Sequence, residues 1–151
     1  MRRTIPIIAM ACLLALPLFA GGGQEEPMAG REGDTPVNNA WIRASIPGDA
    51  NAAGYMVIRN RGDEPKRLLR VEGEEFARSI EIHTSTMVDG LMRMQEIEFV
   101  EVPPRGEIIF EPGSYHIMFV DIYNDFVVDD IHRLKLYFDT IDPVEVDFIV
   151  E

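Results

Sequence analysis

The stretch PGSYHIMFVD, residues 112–121, contains the pattern that decides the fold of this chain. A Pro-Gly-Ser turn leads into a run whose side chains alternate in the way expected of a β-strand. Clusters of Gly, Pro, Asp and Asn separate similar runs along the rest of the sequence, and many short strands between such turn signals predict an all-β sandwich. The other runs are AWIRAS, AGYMVIRN, KRLLRVEG, SIEIHTS, LMRMQEIEFVEV, GEIIFEP, HRLKLYFD and VEVDFIV.

The N-terminal part of the sequence does not share this pattern. Residues 1–23 have a basic start, an apolar run from Ile5 to Ala20 and small residues after it, which is the layout of a secretory signal peptide. The run contains two prolines and is shorter than the roughly 20 residues of a spanning helix, so a retained membrane anchor is the second interpretation. Residues 24–36, rich in Gly, Pro and acids, are predicted to be a disordered linker, and residues 37–151 the folded domain.

The only cysteine, Cys12, lies inside the apolar run. A lipid-modified cysteine would follow such a run, so lipidation at Cys12 is a less favoured alternative to simple cleavage. Once the signal peptide is removed, the chain has no thiol. This excludes disulfides, thiolate metal sites and thiol redox chemistry in the mature protein.

The net charge of the chain is strongly negative, −12 at pH 7, and removal of the basic signal peptide makes it more so. Such a surface repels nucleic acid and anionic lipid. We therefore expect a monomer exported to the periplasm or cell envelope, with no nucleic-acid partner and at most an N-terminal membrane anchor.

Histidine and methionine are the residues in this sequence with metal-binding chemistry. His83 precedes a predicted hairpin that turns at Asp89-Gly90, and the returning strand carries Met92 and Met94, which a hairpin can bring close to it. His116 and Met118 are two residues apart and so share one face of their strand. Together these residues predict a cluster of two imidazoles and two thioethers.

A mixed set of thioether and imidazole ligands favours Cu(I) over magnesium, calcium or zinc. A blue-copper site needs a cysteine, and a zinc hydrolase needs three nitrogen or oxygen ligands with an open position; neither pattern is present. We see no nucleophile, acid–base pair or cofactor loop, and do not expect an enzyme. Methionine also fills cores, which is the interpretation we favour for Met56. His132 is interpreted as a polar residue at a strand start, whereas the roles of Met87 and Met92 stay open.

The spacing His83-x10-Met94-x21-His116-x-Met118 resembles the signature of periplasmic copper-A chaperones, the PCuAC-like family. The stretches AWIRASIPG, AAGYMVIRN, DGLMRM and EPGSYHIMF are also similar, although the family usually has a second glycine where this chain has Ser114. The resemblance extends over roughly residues 38–150. The His- or Met-rich tail that is frequent in the family is missing, which places a second, tail-borne copper site in doubt.

The resemblance implies a cupredoxin-like (Greek-key) β-sandwich that binds one Cu(I) through His83, Met94, His116 and Met118. It further implies delivery of copper toward cytochrome c oxidase assembly, or envelope copper homeostasis. The partner would be a copper-accepting protein, such as an oxidase subunit or another copper chaperone. The alternative is an envelope interaction or scaffold module that binds no metal. That alternative predicts that Met94 and Met118 are buried in the core.

Overall fold

The computed structural model describes residues 35–73 and 76–151, which form ten β-strands joined by turns and loops. The all-β prediction is therefore confirmed. No helix in these ranges is long and apolar enough to cross a membrane. The strands are β1 (Val37–Ile42), β2 (Asn51–Arg59), β3 (Lys66–Gly73), β4 (Ala77–Val88), β5 (Leu91–Glu96), β6 (Val100–Val102), β7 (Glu107–Phe110), β8 (Tyr115–Ile122), β9 (Ile131–Phe138) and β10 (Val144–Val150).

The N-terminal predictions concern residues that the structure does not describe. The predicted signal peptide, Cys12 and most of the predicted linker lie outside the described residues. The assignment of residues 1–23, 24–36 and 37–151 to signal, linker and domain stays a prediction.

The strands form one continuous hydrogen-bonded sheet in the order β5-β4-β8-β7-β2-β1-β10-β9-β3-β6. Strand β2 joins the two parts of the sheet. The first half of β2 pairs with β8 and its second half with β7, while its other edge pairs with β1. Buried side chains from nine of the ten strands belong to a single apolar cluster. The sheet must therefore fold over on itself, so that two layers enclose one core.

Strand β5 is the exception to this packing. All six of its residues are exposed, and none belongs to the buried cluster. It lies at one end of the sheet and pairs only with β4. Core packing therefore does not explain the methionines on β5.

The β4–β5 hairpin turns where the sequence predicts it, at Asp89-Gly90. Val88 pairs with Leu91, so these two residues alone form the turn, and their φ angles are 52° and 76°. Two successive positive φ angles are the mark of a type I′ turn, whose twist matches that of the flanking strands. The turn fixes the register of the hairpin and thereby the position of every side chain on β5.

The run LMRMQEIEFVEV differs from its prediction as a single strand. It is divided into β5, which pairs with β4, and β6, which pairs with β3 at the opposite end of the sheet order. Between them, the N–H of Ile97 still donates to the carbonyl of Ile82 at 2.9 Å. Alternation of apolar and polar residues in a sequence predicts a strand, but it does not specify the strand with which each part pairs.

Candidate metal centre

The four predicted ligands lie on one face of the sheet, the face turned away from the core. On β8, His116 and Met118 alternate with Ile117 and Phe119, which are fully buried in the core. His83 on β4 is the direct cross-strand partner of His116, and their ring centroids are 5.6 Å apart.

Met94 reaches the same face from β5. It pairs with Ser85, which is two residues beyond His83 on β4 and therefore points to the same side. Met94, His116 and Met118 line one concavity of about 380 Å³, whose far wall is formed by the segment after β1. His83 does not line this concavity and lies beside it, next to His116. The structure thus brings three predicted ligands into one cavity and the fourth to its edge.

His116 is held as a neutral imidazole with one free nitrogen. Its side chain is almost completely buried, with 4% of its surface exposed, and its Nδ1–H donates to the carbonyl of Ser114 at 3.2 Å. Its Nε2 is buried and has no hydrogen-bond partner. Burial lowers the pKa of His116, and the nearby His83 lowers it further, although the bond to Ser114 opposes both effects. The Nε2 lone pair is therefore available to a metal ion.

His83 has the complementary arrangement. Its Nε2–H donates to Glu81 Oε2 at 2.9 Å, and its Nδ1 is buried without a hydrogen-bond partner. Glu81 also accepts a hydrogen bond from the Ser79 hydroxyl at 2.7 Å. These two bonds, that from Ser79 first, hold the pKa of Glu81 below its usual value. The carboxylate stays ionised and fixes the tautomer of His83, as outer partners of metal-ligating histidines commonly do.

Among the described residues, three imidazole nitrogens are buried without a hydrogen-bond partner: Nδ1 of His83, Nε2 of His116 and Nε2 of His132. Only the first two belong to residues paired with each other. A buried polar atom without a partner typically costs about 1–3 kcal/mol. Here one such atom belongs to each of two adjacent histidines on one face of the sheet. A metal ion bound to both nitrogens would satisfy both atoms.

The thioethers of the cluster are accessible rather than packed in the core. Met94 is 61% exposed and Met118 is half-buried, whereas Met56 is 1% exposed and belongs to the core as predicted. A methionine that serves only to fill a core is buried. The alternative of a Met-filled scaffold core therefore accounts for Met56 and not for Met94.

His132 lies away from this cluster. It is the second residue of β9, half-buried, with its ring edge-on to Phe76 and Phe126 at 4.8 and 4.9 Å between centroids. Its place at the strand start agrees with the prediction. Its surroundings are aromatic, however, and it does not face the predicted ligands.

Sequence reasoning missed the two groups that orient the histidines, Glu81 and the carbonyl of Ser114. Glu81 could have been found, since it precedes His83 by two residues and must share its face. The role of Ser114 depends on the turn after Pro112, in which Gly113 has a φ of 87°. No residue pattern in the sequence specifies where that carbonyl points.

The donor set suits a soft metal ion. Two imidazole nitrogens and two thioether sulfurs favour Cu(I), because thioethers bind hard cations poorly. Within residues 35–73 and 76–151, no group of three or more His, Cys, Asp or Glu side chains could hold a metal ion.

The chain resembles known proteins in sequence and in fold. The sequence model described as "Putative lipoprotein LpqE-like" matches residues 36–150. The chain belongs to the LpqE-like family. None of the curated proteins matches this LpqE-like chain.

Solved structures similar to this LpqE-like chain include PCuAC domains. A copper-bound PCuAC domain from PmoF2 and an apo PCuAC domain from PmoF1 are both 28% identical to it, with TM-scores of 0.66. Each alignment covers 79% of this chain, and 93% and 94% of the respective domain. Apo-DR1885 from Deinococcus radiodurans, 20% identical with a TM-score of 0.61 over 100% of this chain and 96% of that one, shows the fold alone. The PCuAC-like resemblance and the cupredoxin-like β-sandwich are thereby confirmed.

Proposed function

We propose that this LpqE-like protein is an extracytoplasmic metallochaperone that binds one Cu(I) ion and passes it to another protein. The ligands would be His83 Nδ1, His116 Nε2 and the sulfurs of Met94 and Met118. The recipient would be a copper-accepting protein, such as a cytochrome c oxidase subunit or another copper chaperone. The copper-bound PCuAC domain from PmoF2, at 28% identity, supports copper as the cargo.

The observation that carries the proposal is the pair of unpartnered imidazole nitrogens. They are buried on two histidines paired across β4 and β8, and each ring is oriented by a hydrogen bond from its other nitrogen. Burial lowers the pKa of His116, so this imidazole can bind a cation as a neutral ligand. Exposed methionine sulfur beside them supplies the soft donors that select Cu(I).

The same geometry suits release of the ion. Met94 is exposed on a strand that contributes no residue to the buried cluster, whereas His116 and Met118 lie on β8, which pairs with β4, β2 and β7. A ligand from a partner could approach copper from the Met94 side, bind, and let the Met94 thioether leave. Copper would stay Cu(I) and the histidines neutral, so the exchange requires no electron or proton.

Anaerobic titration of Cu(I) against a competing chromophoric chelator tests the proposal. We expect the exported protein to bind one tight equivalent, and His116→Ala or Met118→Leu to abolish it. Met56→Leu is the matched control, because it removes a thioether from the core and should leave the affinity unchanged. Failure of the wild-type protein to compete with the chelator would refute copper binding and favour the scaffold alternative.

A further inference from the structure

Two exposed methionines outside the proposed site share its face. Met87 on β4 and Met92 on β5 are direct cross-strand partners next to the turn, and are 64% and 58% exposed. We call them the hairpin thioether pair. They point to the same side of the sheet as Met94, because Met92 and Met94 are two residues apart on one strand.

The hairpin therefore presents its metal-binding side chains in successive rows. The pair Met87–Met92 lies nearest the turn, Met94 opposite Ser85 forms the next row, and His83 lies in the row after that. Successive rows on one face of a strand are about 7 Å apart. A methionine side chain has three rotatable bonds, so thioethers in adjacent rows can approach one another without movement of the backbone.

Contacts place Met92, one member of the outer row, in the concavity of the proposed site. Met92 lines the same concavity as Met94, His116 and Met118, and its Cε lies near Gly113 in the turn before β8. The opposite face of the hairpin tip carries Val88 and Leu91, which have no donor atoms in their side chains. Sulfur is thus concentrated on the face that leads to the histidines.

We infer that the hairpin thioether pair is a second, weaker Cu(I) site through which the ion enters the proposed one. Two exposed thioethers bind a soft cation but provide no imidazole and little desolvation, so the pair is the weaker site. Copper bound there would gain a bond to Met94 as it loses one to Met92, and then reach His83 and His116. Each step exchanges one Cu–ligand bond for another, and copper remains Cu(I) throughout.

This inference rests on the proposed function, and methionine-methyl NMR separates the two. The exported protein, labelled with ¹³C at the methionine methyl groups, would be titrated anaerobically with Cu(I). We expect the Met94 and Met118 methyl signals to shift with the first equivalent, and those of Met87 and Met92 to shift only in a second, weaker step. The buried Met56 methyl is the internal control.

The double variant Met87→Leu/Met92→Leu completes the test, since Leu preserves size and removes sulfur. We expect loss of the second step, slower loading from a Cu(I)–chelator complex, and no change in affinity for the first ion. A second step that persists in this variant, or loading at the wild-type rate, would overturn the inference while leaving the proposed function intact. Absence of the first step in wild-type protein would instead refute the proposed function.

Discussion

His116 shows most directly how a single residue is prepared for metal binding. The side chain of His116 is nearly completely buried. Burial lowers its pKa and so favours the neutral imidazole. The hydrogen bond to Ser114 leaves Nε2 as the only free nitrogen. The burial that makes this imidazole a good ligand also makes it sensitive to acid.

We predict that the metal-free protein loses stability as the pH falls below about 6.5, the usual pKa of histidine. The pKa of His116 is lowered by folding, so the unfolded chain takes up a proton before the folded chain does. Protonation therefore favours unfolding until the pH passes below the folded pKa, where the loss levels off. The free energy of unfolding, measured with urea at pH values from about 7.5 to about 5, tests this prediction. His116→Gln should give a flatter profile, and identical profiles would contradict the assignment.

A second prediction concerns Glu81, which accepts the Nε2–H of His83. Glu81→Gln keeps the size of the side chain but removes the charge that fixes the tautomer of His83. Loss of such an outer partner typically lowers metal affinity by roughly 10–100-fold, and we expect a decrease of about 10-fold in Cu(I) affinity. Competitive titration measures it.

Glu101→Gln is the matched control for Glu81→Gln, because Glu101 is ion-paired with Arg67 on strands at the other end of the sheet. It should leave the Cu(I) affinity unchanged. Equal affinities for both variants and the wild type would show that His83 needs no carboxylate to orient it.

The β4–β5 hairpin is the element on which the candidate site depends most. Its outer strand contributes nothing to the core and presents Met92 and Met94 to solvent. The Asp89-Gly90 turn sets the register in which that strand pairs with β4, the strand that adjoins it in the sheet. A slip of one residue would turn Met94 to the opposite face.

We predict that Gly90→Ala destabilises the protein by roughly 1–2 kcal/mol, because Gly90 has a φ of 76° and a Cβ is strained in that region. No other atom lies within 4 Å of the added Cβ, so steric contact with neighbours makes no contribution. Urea unfolding gives the difference. Asp89→Gly relieves a positive φ of 52° and should be much milder; an equal loss in both variants would show that the turn conformation is not the cause.

At the scale of secondary structure, the sequence predicted the strands and the hairpin better than it predicted which strands pair with each other. The Asp89-Gly90 hairpin and the shared face of His116 and Met118 follow from local rules, and both are confirmed. The division of residues 91–102 between two ends of the sheet was not predicted, because alternation carries no information about pairing partners. The exposure of β5 was missed for the same reason.

At the scale of the whole molecule, the candidate site is built on a strand that also contributes to the core. Strand β8 lies between β4 and β2, so its core-facing residues are buried while its outward residues line the concavity. Phe119, the residue after Met118 on β8, is fully buried. The centroid of its ring lies 5.1 Å from that of Phe126. The same strand therefore anchors the fold and positions the proposed ligands.

We predict that Phe119→Ala lowers the free energy of unfolding by roughly 3–5 kcal/mol, because it leaves a cavity at the centre of the core. Ile149→Ala, at a half-exposed position on β10, is the control and should cost far less. Thermal or urea unfolding measures both. A small effect at Phe119 would mean that the two layers do not pack around β8 as described.

At the scale of the molecule, the all-β class could be read from the turn spacing, whereas the path of the sheet could not. Strands distant in sequence, such as β1 and β10 in parallel or β3 and β9, are paired by burial of the shared core. The candidate ligands could be named from the sequence because spacing and ligand softness are local properties, and their role as ligands stays a prediction. The position of the Ser114 carbonyl depends on the turn before β8 and was visible only in the structure, whereas Glu81 could have been found from its spacing to His83.

X-ray absorption of the Cu(I)-loaded protein at the copper edge tests the central claim most directly. The proposed site predicts one copper ion coordinated by two nitrogen and two sulfur atoms, with one sulfur lost in Met94→Leu. Since the mature chain is predicted to contain no cysteine, any sulfur observed must come from methionine. A first coordination shell without sulfur, or one unchanged in Met94→Leu, would contradict the proposed ligand set.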